Sequence, residues 1–507
     1  MKISIINYYC IRAVYLFGLI LILPSFIIAQ SNSVSQKDYL IELDKKIPAW
    51  LEEFIVPGAA IALIEDGEVI LQKGYGYADV KKNAIVDGRT GFNIGSISKT
   101  IAAWGVMKLV EEGKIELDSP AEKYLTRWHL PESKYDVDGV TIRRLLSHTA
   151  GLSLHGYPGW SPNDTLPSIE ESLSGKNNGP GDVRIIMEPG TKWKYSGGGF
   201  TILQLIIEEV TGQKFADYMQ AEVLDPLGMK NSSYTIDAKI LGGSSLEHNG
   251  YGEVIPFELF TAEAAAGLHT TIEDFAIFAQ ASLNYSNPSG TQQSILKKST
   301  LELMTSPALA SNGRYGLGYS IDSIQNTQAV LVGHGGANTG WHAYLRVNQQ
   351  TGDGFVMITN GGSGHNVYRQ AYCDWINWKL DVSLGNRCKK SITPLLINTL
   401  KNEGIEATIV TYKKVKKTEA DNYSFYEGSL NSFGYELLQT DKIMEAIEIF
   451  KLNVEEYPES GNVYDSLGEA YMVDGNHKLA IENYEKSIEI DPENTNGIKI
   501  LKKLKKQ

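Results

Sequence analysis

The sequence predicts a mixed α/β domain followed by an all-α segment. Near residues 59–75 and 329–359, short runs that alternate or are wholly apolar have the length of strands. Between them lie longer apolar stretches with helical period, and beyond residue 428 similar residues return at an interval of 34. With 507 residues, 42% hydrophobic and 21% charged, the chain is long enough for two or more globular units.

The amino terminus predicts export. Lys2 and Arg12 precede an apolar run over 13–29, after which the chain turns polar. This order is typical of a secretory signal peptide, here residues 1–29, and predicts a protein secreted to the periplasm or outside the cell. Ile27 is not the small residue favoured near a cleavage site, so an uncleaved membrane anchor, and with it membrane contact, stays open.

The α/β region is predicted to begin with a helix and to end with one. Alternating or apolar patterns define the strands, and a longer apolar pattern defines the last helix. The predicted elements are a helix from about Lys37, strands at 59–64, 69–75, 329–332, 342–347 and 354–359, and a helix at 367–380.

The first chemical motif is Ser96-Ile97-Ser98-Lys99, at the start of an apolar helix that ends near Gly113. Residues three apart share a helix face, so the Lys99 amine can reach the Ser96 hydroxyl. Burial favours a neutral amine and the helix N-terminus favours negative charge, so Lys99 could be a base and Ser96 a nucleophile. Taken alone the motif is common, and a helix cap beside a solvated lysine is the alternative.

Two further motifs follow downstream. Tyr195-Ser196-Gly197 lies where a glycine-rich loop meets an apolar, helix-period stretch. His334-Gly335-Gly336 precedes a strand-like run, and its glycines would let a substrate approach the backbone closely. If each motif is considered alone, Tyr195 could be a core aromatic and His334 a turn histidine bonded to the backbone.

With these three motifs in this order, the chain resembles the serine β-lactamase and penicillin-binding protein superfamily. The nearest branch contains class C β-lactamases, D-alanyl-D-alanine carboxypeptidases and esterases. The resemblance covers about residues 36–380 and implies an α/β sandwich of the β-lactamase/transpeptidase-like type. Such a fold has an antiparallel sheet with helices, an α-helical subdomain that carries the first two motifs, and closing strands that carry the third. Four supporting phrases are Val56–Ala60, Phe92–Gly95, Leu145–Leu152 and Tyr315–Tyr319.

The resemblance implies a role for each motif. Ser96 would attack a carbonyl and become acylated, while Lys99 and Tyr195 share the general-base and general-acid work. The backbone N–H groups of Ser96 and Ala337 would form the oxyanion hole, with donors worth ~3 kcal/mol each. His334, Gly335 and Gly336 would line the substrate site. The resemblance implies no metal and no cofactor.

Two departures from the family pattern bear on the substrate. Gly197 stands where the family has Asn, and His334-Gly335-Gly336 replaces Lys-Thr-Gly. Both changes remove groups that hold an acylamino β-lactam, whereas the groups for acyl transfer remain. The substrate is therefore expected to be a small molecule or a peptide, and specifically a D-amino-acid peptide, ester or amide. A β-lactamase and a non-hydrolytic, penicillin-recognising or peptidoglycan-sensing binder are the alternatives.

Several other residues have two interpretations. His148 lies in a family phrase and is predicted to be a structural, satisfied histidine. Tyr157, Trp160 and Trp341 can line the cleft or anchor loops, with Trp341 the best cleft candidate. Cys10 lies in the predicted signal peptide, so two cysteines would remain after cleavage. This pair, Cys373 and Cys388, could form a disulfide in an oxidising compartment or stay reduced and buried.

Other functions are disfavoured by composition and by missing motifs. The chain contains no Gly-x-Ser-x-Gly, no His-Glu-x-x-His and no P-loop, so an α/β-hydrolase elbow, a zincin and a nucleotide-phosphate loop lack support. A net charge of −13 argues against nucleic acid as a partner, because phosphate binding needs a basic surface.

The carboxyl-terminal segment, residues 428–507, resembles two tetratricopeptide repeats. Small residues at repeating positions would let paired helices pack closely, aromatics would fill the space between them, and proline would end the second helix. Residues 381–427 would serve as a linker or a cap, and the repeats could also dock on the hydrolase. A protein partner for the repeats and a purely stabilising role stay open. The equivalent pairs are Gly434 with Gly468, Ala446 with Ala480, Ile447 with Ile481, Phe450 with Tyr484, and Pro458 with Pro492.

Overall fold

The computed structural model describes residues 34–176, 181–284 and 294–506. The predicted signal segment 1–29 lies outside the described residues. Within the described ranges, no helix combines the length and the apolar character needed to cross a membrane.

An antiparallel sheet of seven strands forms the centre of the α/β domain. The strands among the described residues are β1 Gly58–Glu65, β2 Glu68–Asp79, β3 Ala84–Ile85, β4 Phe92–Asn93, β5 His269–Thr270, β6 Ser320–Ser323, β7 Val330–Asn338, β8 Trp341–Asn348, β9 Asp353–Thr359, β10 Lys390–Ser391 and β11 Tyr423–Ser424. The sheet order is β3-β2-β1-β9-β8-β7-β6, while β4 with β5 and β10 with β11 form small separate pairs. The N-terminal hairpin thus joins the late strands through β1 and β9, where Ala60 lies opposite Ile358.

Helices occupy most of the interval between the early and late strands and most of the carboxyl-terminal region. They are α1 Gln36–Glu53, α2 Ile97–Glu111, α3 Ile142–Leu146, α4 Ile169–Leu173, α5 Gly197–Thr211, α6 Phe215–Met219, α7 Asp225–Leu227, α8 Ala238–Gly243, α9 Glu263–Ala266, α10 Ile272–Leu283, α11 Lys298–Thr305, α12 Gly364–Leu380, α13 Thr393–Glu403, α14 Ile405–Thr418, α15 Glu427–Gln439, α16 Ile443–Glu456, α17 Gly461–Val473, α18 His477–Ile490 and α19 Thr495–Leu504. Short 3₁₀ turns lie at Ala121–Tyr124 and Gly385–Cys388, and a π-helical turn at Gln220–Leu224.

Helices cover both faces of the sheet. On one face α1 and α12 pack together, and on the other α10 and α2 pack on the sheet, with α5 against α2. Because side chains alternate along a strand, Ala60 and Ala62 of β1 enter one core and Ile61 enters the other. The predicted α/β sandwich with a helical subdomain is confirmed.

The third motif lies inside a strand of the sheet, in line with the expectation that the closing strands carry it, but the strand is longer than predicted. The predicted strand spanned 329–332, and the glycines that follow it weaken an isolated strand. The structure continues β7 to Asn338 and pairs it with β8 throughout, with His334 opposite Leu345 and Gly336 opposite Ala343. Ladder hydrogen bonds to a neighbour distant in sequence outweigh the local preference.

The described part of the segment 428–507 is all α, as predicted. α17 begins 34 residues after α15, and α18 begins 34 residues after α16. Gly434 lies where an added Cβ would come 2.5 Å from the Phe450 ring, and Gly468 lies similarly 3.2 Å from Tyr484. The small residues therefore let each helix pair close on an aromatic side chain. The assignment to tetratricopeptide repeats stays a prediction.

The segment 381–427 and the repeats share one core with the α/β domain. α13 and α14 contribute Leu396 and Tyr412 to a cluster that also contains Phe450. Tyr251, from the α/β domain, is buried in the same cluster. A 2.5 Å ion pair between Lys390 and Glu53 adds a second point of attachment. The helical region therefore packs directly on the α/β domain.

A disulfide joins Cys373 in α12 to Cys388. The sequence had left two alternatives open for this pair, a disulfide or two reduced and buried thiols. The cross-linked positions are 15 residues apart. Because a loop of this size loses chain entropy when closed, we expect the double substitution Cys373→Ser, Cys388→Ser to lower the free energy of unfolding by ~3 kcal/mol. Guanidinium titration should show the loss, and reduced wild type should unfold near the variant. Equal midpoints for oxidised wild type and the variant would contradict a stabilising disulfide.

Candidate active site

Ser96 lies at the amino-terminal boundary of α2, where the chain turns sharply. Gly95 has φ +51°, a conformation that costs other residues energy. A Cβ on Gly95 would lie 2.6 Å from the backbone nitrogen of Ala337, so this turn packs directly on β7. The Ser96 side chain makes no capping hydrogen bond to its own helix, so its hydroxyl is not used as a cap. The solvated-cap alternative for the first motif does not hold.

Lys99 is buried and reaches the serine. Its Nζ lies 3.1 Å from Ser96 Oγ and donates a 2.6 Å hydrogen bond to the carbonyl oxygen of Ala265. Lys99 is only 2% exposed, and desolvation lowers the pKa of its amine from 10.5 to about 7. Near neutral pH a large fraction of Lys99 is therefore unprotonated, and a neutral amine can accept the serine proton.

Tyr195 brings a phenol to the same point. It directly precedes Ser196, whose side chain caps α5, so the helix start fixes the position of Tyr195. The Tyr195 ring centroid lies 5.1 Å from Lys99 Nζ, and its hydroxyl faces Ser96. Burial raises the pKa of the phenol, so it is protonated at neutral pH. Among the described residues no group meets hydrogen-bond geometry with this hydroxyl.

His148 packs against the tyrosine, which the sequence did not predict. Its ring centroid lies 4.2 Å from that of Tyr195, and its Nδ1 accepts a 3.2 Å hydrogen bond from the Ser196 N–H. Burial lowers the pKa of His148 well below 6.5, with Lys99 adding to the effect. The prediction of a fully satisfied structural histidine is wrong in one respect, because Nε2 has no partner in the described part of the chain.

His334 contributes a neutral imidazole to the wall of the site. Its Nδ1 donates to the carbonyl oxygen of Gly335 at 2.5 Å, and burial lowers its pKa to about 3. The ring lies 6.0 Å from the Tyr195 ring. It therefore offers Nε2 as a hydrogen-bond acceptor and supplies no positive charge, unlike the lysine that the family has here.

These residues surround a cavity of about 620 Å³, here called the catalytic cavity. The structure brings all the predicted site residues except the buried Lys99 to its surface, and Lys99 reaches it through Ser96. Its lining residues are Ser96, His155, Trp193, Lys194, Tyr195, His334, Gly335, Gly336, Ala337 and Tyr368.

Four lining residues were missed: His155, Trp193, Lys194 and Tyr368. Trp193 and Lys194 directly precede Tyr195, so adjacency to the second motif was the available signal. The expectation that Trp341 lines the cleft is wrong. Trp341 is 1% exposed and packs edge-on against Phe92 in the core.

The other two cleft candidates also serve packing. Tyr157 packs against the main core of the α/β domain, and Trp160 is held by backbone pairing with Leu259. Neither residue is part of the catalytic cavity.

A serine beside a buried lysine and a tyrosine, held at two helix starts next to a strand of the sheet, defines a class of serine acyl-transfer proteins. The family model described as "Beta-lactamase" matches residues 44–372. The chain belongs to the β-lactamase family, whose members are generally serine hydrolases that form acyl-enzymes.

Individual relatives are distant. "Protein flp" of Staphylococcus aureus (strain N315) is 28% identical over 335 residues, which cover 63% of this chain and 62% of that protein. PbpX of Bacillus subtilis (strain 168) is 26% identical over 287 residues, 55% of this chain and 66% of PbpX. Among solved structures, the octameric penicillin-binding protein homologue from Pyrococcus abyssi superposes with a TM-score of 0.56 at 25% identity. That match covers 71% of this chain and 81% of the archaeal chain.

Proposed function

We propose that this protein is a serine hydrolase that works through an acyl-enzyme on Ser96 and acts on a D-amino-acid peptide, ester or amide. The observation that carries the proposal is the 3.1 Å approach of a buried lysine, with a pKa lowered to about 7, to the serine hydroxyl. An ordinary lysine would be protonated and could not accept the serine proton. Here the base is available at neutral pH.

Acylation would proceed in one sequence of proton and bond changes. The Ser96 hydroxyl gives its proton to Lys99 as Oγ bonds to the substrate carbonyl carbon. The tetrahedral oxyanion would be held by the N–H groups of Ser96 and Ala337, two residues that line the same cavity. The bond to the amine or alcohol then breaks, and that leaving group takes a proton from the Tyr195 hydroxyl, which Lys99 restores. Deacylation repeats these steps with water as the nucleophile and releases the acid.

The raised pKa of Tyr195 favours a donor role for the phenol. A group that is protonated at neutral pH can donate to a departing amine, whereas it is a poor initial base. The neutral His148 ring lies against one face of the phenol and restricts its movement. Lys99 is therefore assigned as the base and Tyr195 as the acid of acylation.

The cavity suits a substrate with a carboxylate near the scissile bond. Lys194 lines the cavity and supplies a cation, while His334, in the third motif, supplies none. A lysine as a point charge can hold a terminal carboxylate, as a D-amino-acid peptide would present. The missing amide at Gly197 and the neutral His334 favour such a substrate over an acylamino β-lactam.

Export of the protein and binding through the repeats are parts of the proposal. A disulfide between Cys373 and Cys388 supports an oxidising compartment, because such bonds persist outside the cytosol. The two helix pairs with a 34-residue interval support tetratricopeptide-like repeats, which present a surface for a protein partner.

Intact-mass analysis of the full chain tests the hydrolase proposal. The protein and its Ser96→Ala variant would be exposed to a small aryl ester, a D-alanyl-D-alanine thioester and a penicillin. We expect Ser96-dependent release of product from the thioester or the ester, with an acyl adduct trapped at short times and absent from the variant. A stable penicillin adduct without turnover would instead identify a penicillin-recognising binder. No Ser96-dependent change with any compound would refute acyl transfer.

A further inference from the structure

A second cavity lies where the helical region meets the α/β domain. Its volume is about 710 Å³, and it is here called the junction crevice. One wall comes from residues 249–255 and 362–366 of the α/β domain, and the other from residues 426–440, which include α15. Ligand sites are frequent at the interface between two structural domains.

The crevice contains buried polar atoms without partners. Asn366 is 1% exposed and lines the crevice, and neither its Oδ1 nor its Nδ2 has a hydrogen-bond partner among the described residues. Ser429, on the opposite wall, is 5% exposed and its Oγ is likewise unpartnered in the described chain. Unpaired buried polar groups cost free energy, which a ligand would recover. A primary amide offers one acceptor and two donors, a set that matches the N–H and C=O of a peptide bond.

The charge in the crevice is negative. Glu253 and Glu436 line it from opposite walls, and no lysine or arginine is among the described residues that do so. The Glu436 carboxyl lies against Gly250, where an added Cβ would lie 2.5 Å from its Oε1. Burial raises the pKa of this carboxyl, while the backbone N–H groups of Gly250 and Tyr251 favour its charged form. Lys401 and Lys442 lie over the ring of Tyr251, outside the crevice lining, and offset this charge in part. An ammonium group is the complementary ligand for the two carboxylates.

Two structural elements connect the crevice to the catalytic cavity. Ala337 lines the catalytic cavity and Thr339 lines the crevice, a separation of ~7 Å along the chain at strand geometry. On α12, Tyr368 lines the catalytic cavity and His365 lines the crevice. Residues three apart on a helix share a face, so the two sites adjoin there as well.

We propose that the junction crevice is an extended subsite for the amino-terminal part of a peptide whose carboxyl-terminal end occupies the catalytic cavity. Asn366 would pair with a main-chain amide of the peptide, and the free ammonium group would lie between Glu253 and Glu436. Because α15 supplies one wall, the subsite exists only with the helical region docked. The proposal rests on the proposed function, since it extends the substrate of the same site.

Calorimetric titration of the full-length Ser96→Ala variant tests the subsite without turnover. The probes are a pentapeptide that ends in D-alanyl-D-alanine, with a free amino terminus, and its N-acetylated twin. We expect the free amine to bind about tenfold more tightly, or ~1.4 kcal/mol. Adding Glu253→Gln, an exposed and isosteric change, should remove most of that preference. The matched control is Glu132→Gln, an exposed glutamate that is not part of either cavity, and it should retain the preference.

The outcomes separate the two proposals. Equal affinity for the two peptides, or a preference that survives Glu253→Gln, would overturn the subsite. If neither peptide binds while wild type hydrolyses the aryl ester through Ser96, the subsite proposal fails and the hydrolase proposal stands. If wild type shows no Ser96-dependent reaction with any ester or peptide, the hydrolase proposal fails, and the extended subsite fails with it.

Discussion

Replacing Lys99 with methionine is expected to lower kcat/KM by ~10³-fold and, at pH 7, to raise the thermal midpoint. The activity falls because the serine loses its base. The stability of the folded state rises because methionine is apolar. In wild type the burial of a charged amine is unfavourable, which is why the pKa of Lys99 is lowered to about 7. The gain is reduced by the loss of the hydrogen bond to Ala265, worth ~1–3 kcal/mol when the carbonyl stays buried.

The increase in stability on Lys99→Met should depend on pH in a defined direction. Between about pH 7 and 10.5 the unfolded chain carries a proton on Lys99 that the folded chain lacks, so wild-type stability rises with pH across this window. The advantage of Lys99→Met is therefore largest at and below about pH 7 and shrinks toward pH 10.5. Wild-type kcat/KM should rise through about pH 7 as the amine becomes neutral.

Scanning calorimetry at several pH values, with Lys108→Met as the matched control on α2, checks this expectation. Lys108 is partly exposed and pairs with Glu112 and Glu222, so its replacement should give no gain and leave turnover intact. A lower midpoint for Lys99→Met at pH 7, or a gain that does not vary with pH, would show that burial of this amine is not costly.

The short-range part of the site was predictable because local helix geometry determines it. A serine and a lysine three apart at a helix start must share a face, and the structure places their polar atoms 3.1 Å apart. The groups that hold Lys99 and Tyr195 in position come from elsewhere in the chain. The carbonyl oxygen of Ala265 that anchors Lys99 and the His148 ring that packs on Tyr195 belong to other elements. No local pattern indicates such contacts.

The missed features share this tertiary origin. β7 continues through its glycines because β8 pairs with them, and Trp341 is buried because Phe92 and the residues around it form a core behind the sheet. The docking of α15 on the α/β domain, which builds one wall of the junction crevice, was one of the alternatives that the sequence left open, because it too depends on surfaces far apart in sequence. The period of 34 predicted the helix pairs but carried no information on where they would pack.

Substituting Gly336 with valine is expected to abolish turnover and to lower the free energy of unfolding by ~3 kcal/mol. A Cβ at this position would lie 1.9 Å from the carbonyl oxygen of Ile94, backbone that cannot move without shifting the turn that carries Ser96. The β7 strand must therefore move away from that turn, and with it Ala337, one of the two proposed oxyanion donors. A loss of one such donor alone costs ~10²–10³-fold in kcat.

The neighbouring glycine provides the control for this expectation. At Gly335 an added Cβ would meet nothing closer than 3.6 Å, so Gly335→Ala should unfold at the wild-type denaturant concentration. Urea titration and ester hydrolysis of both variants would compare the two positions. If Gly336→Val were as stable as wild type, the close approach of β7 to the nucleophile turn would be refuted. The two glycines of the third motif therefore differ: Gly336 is required by the contact that aligns the oxyanion donors with Ser96, whereas a Cβ at Gly335 would make only ordinary contact with the Tyr344 ring.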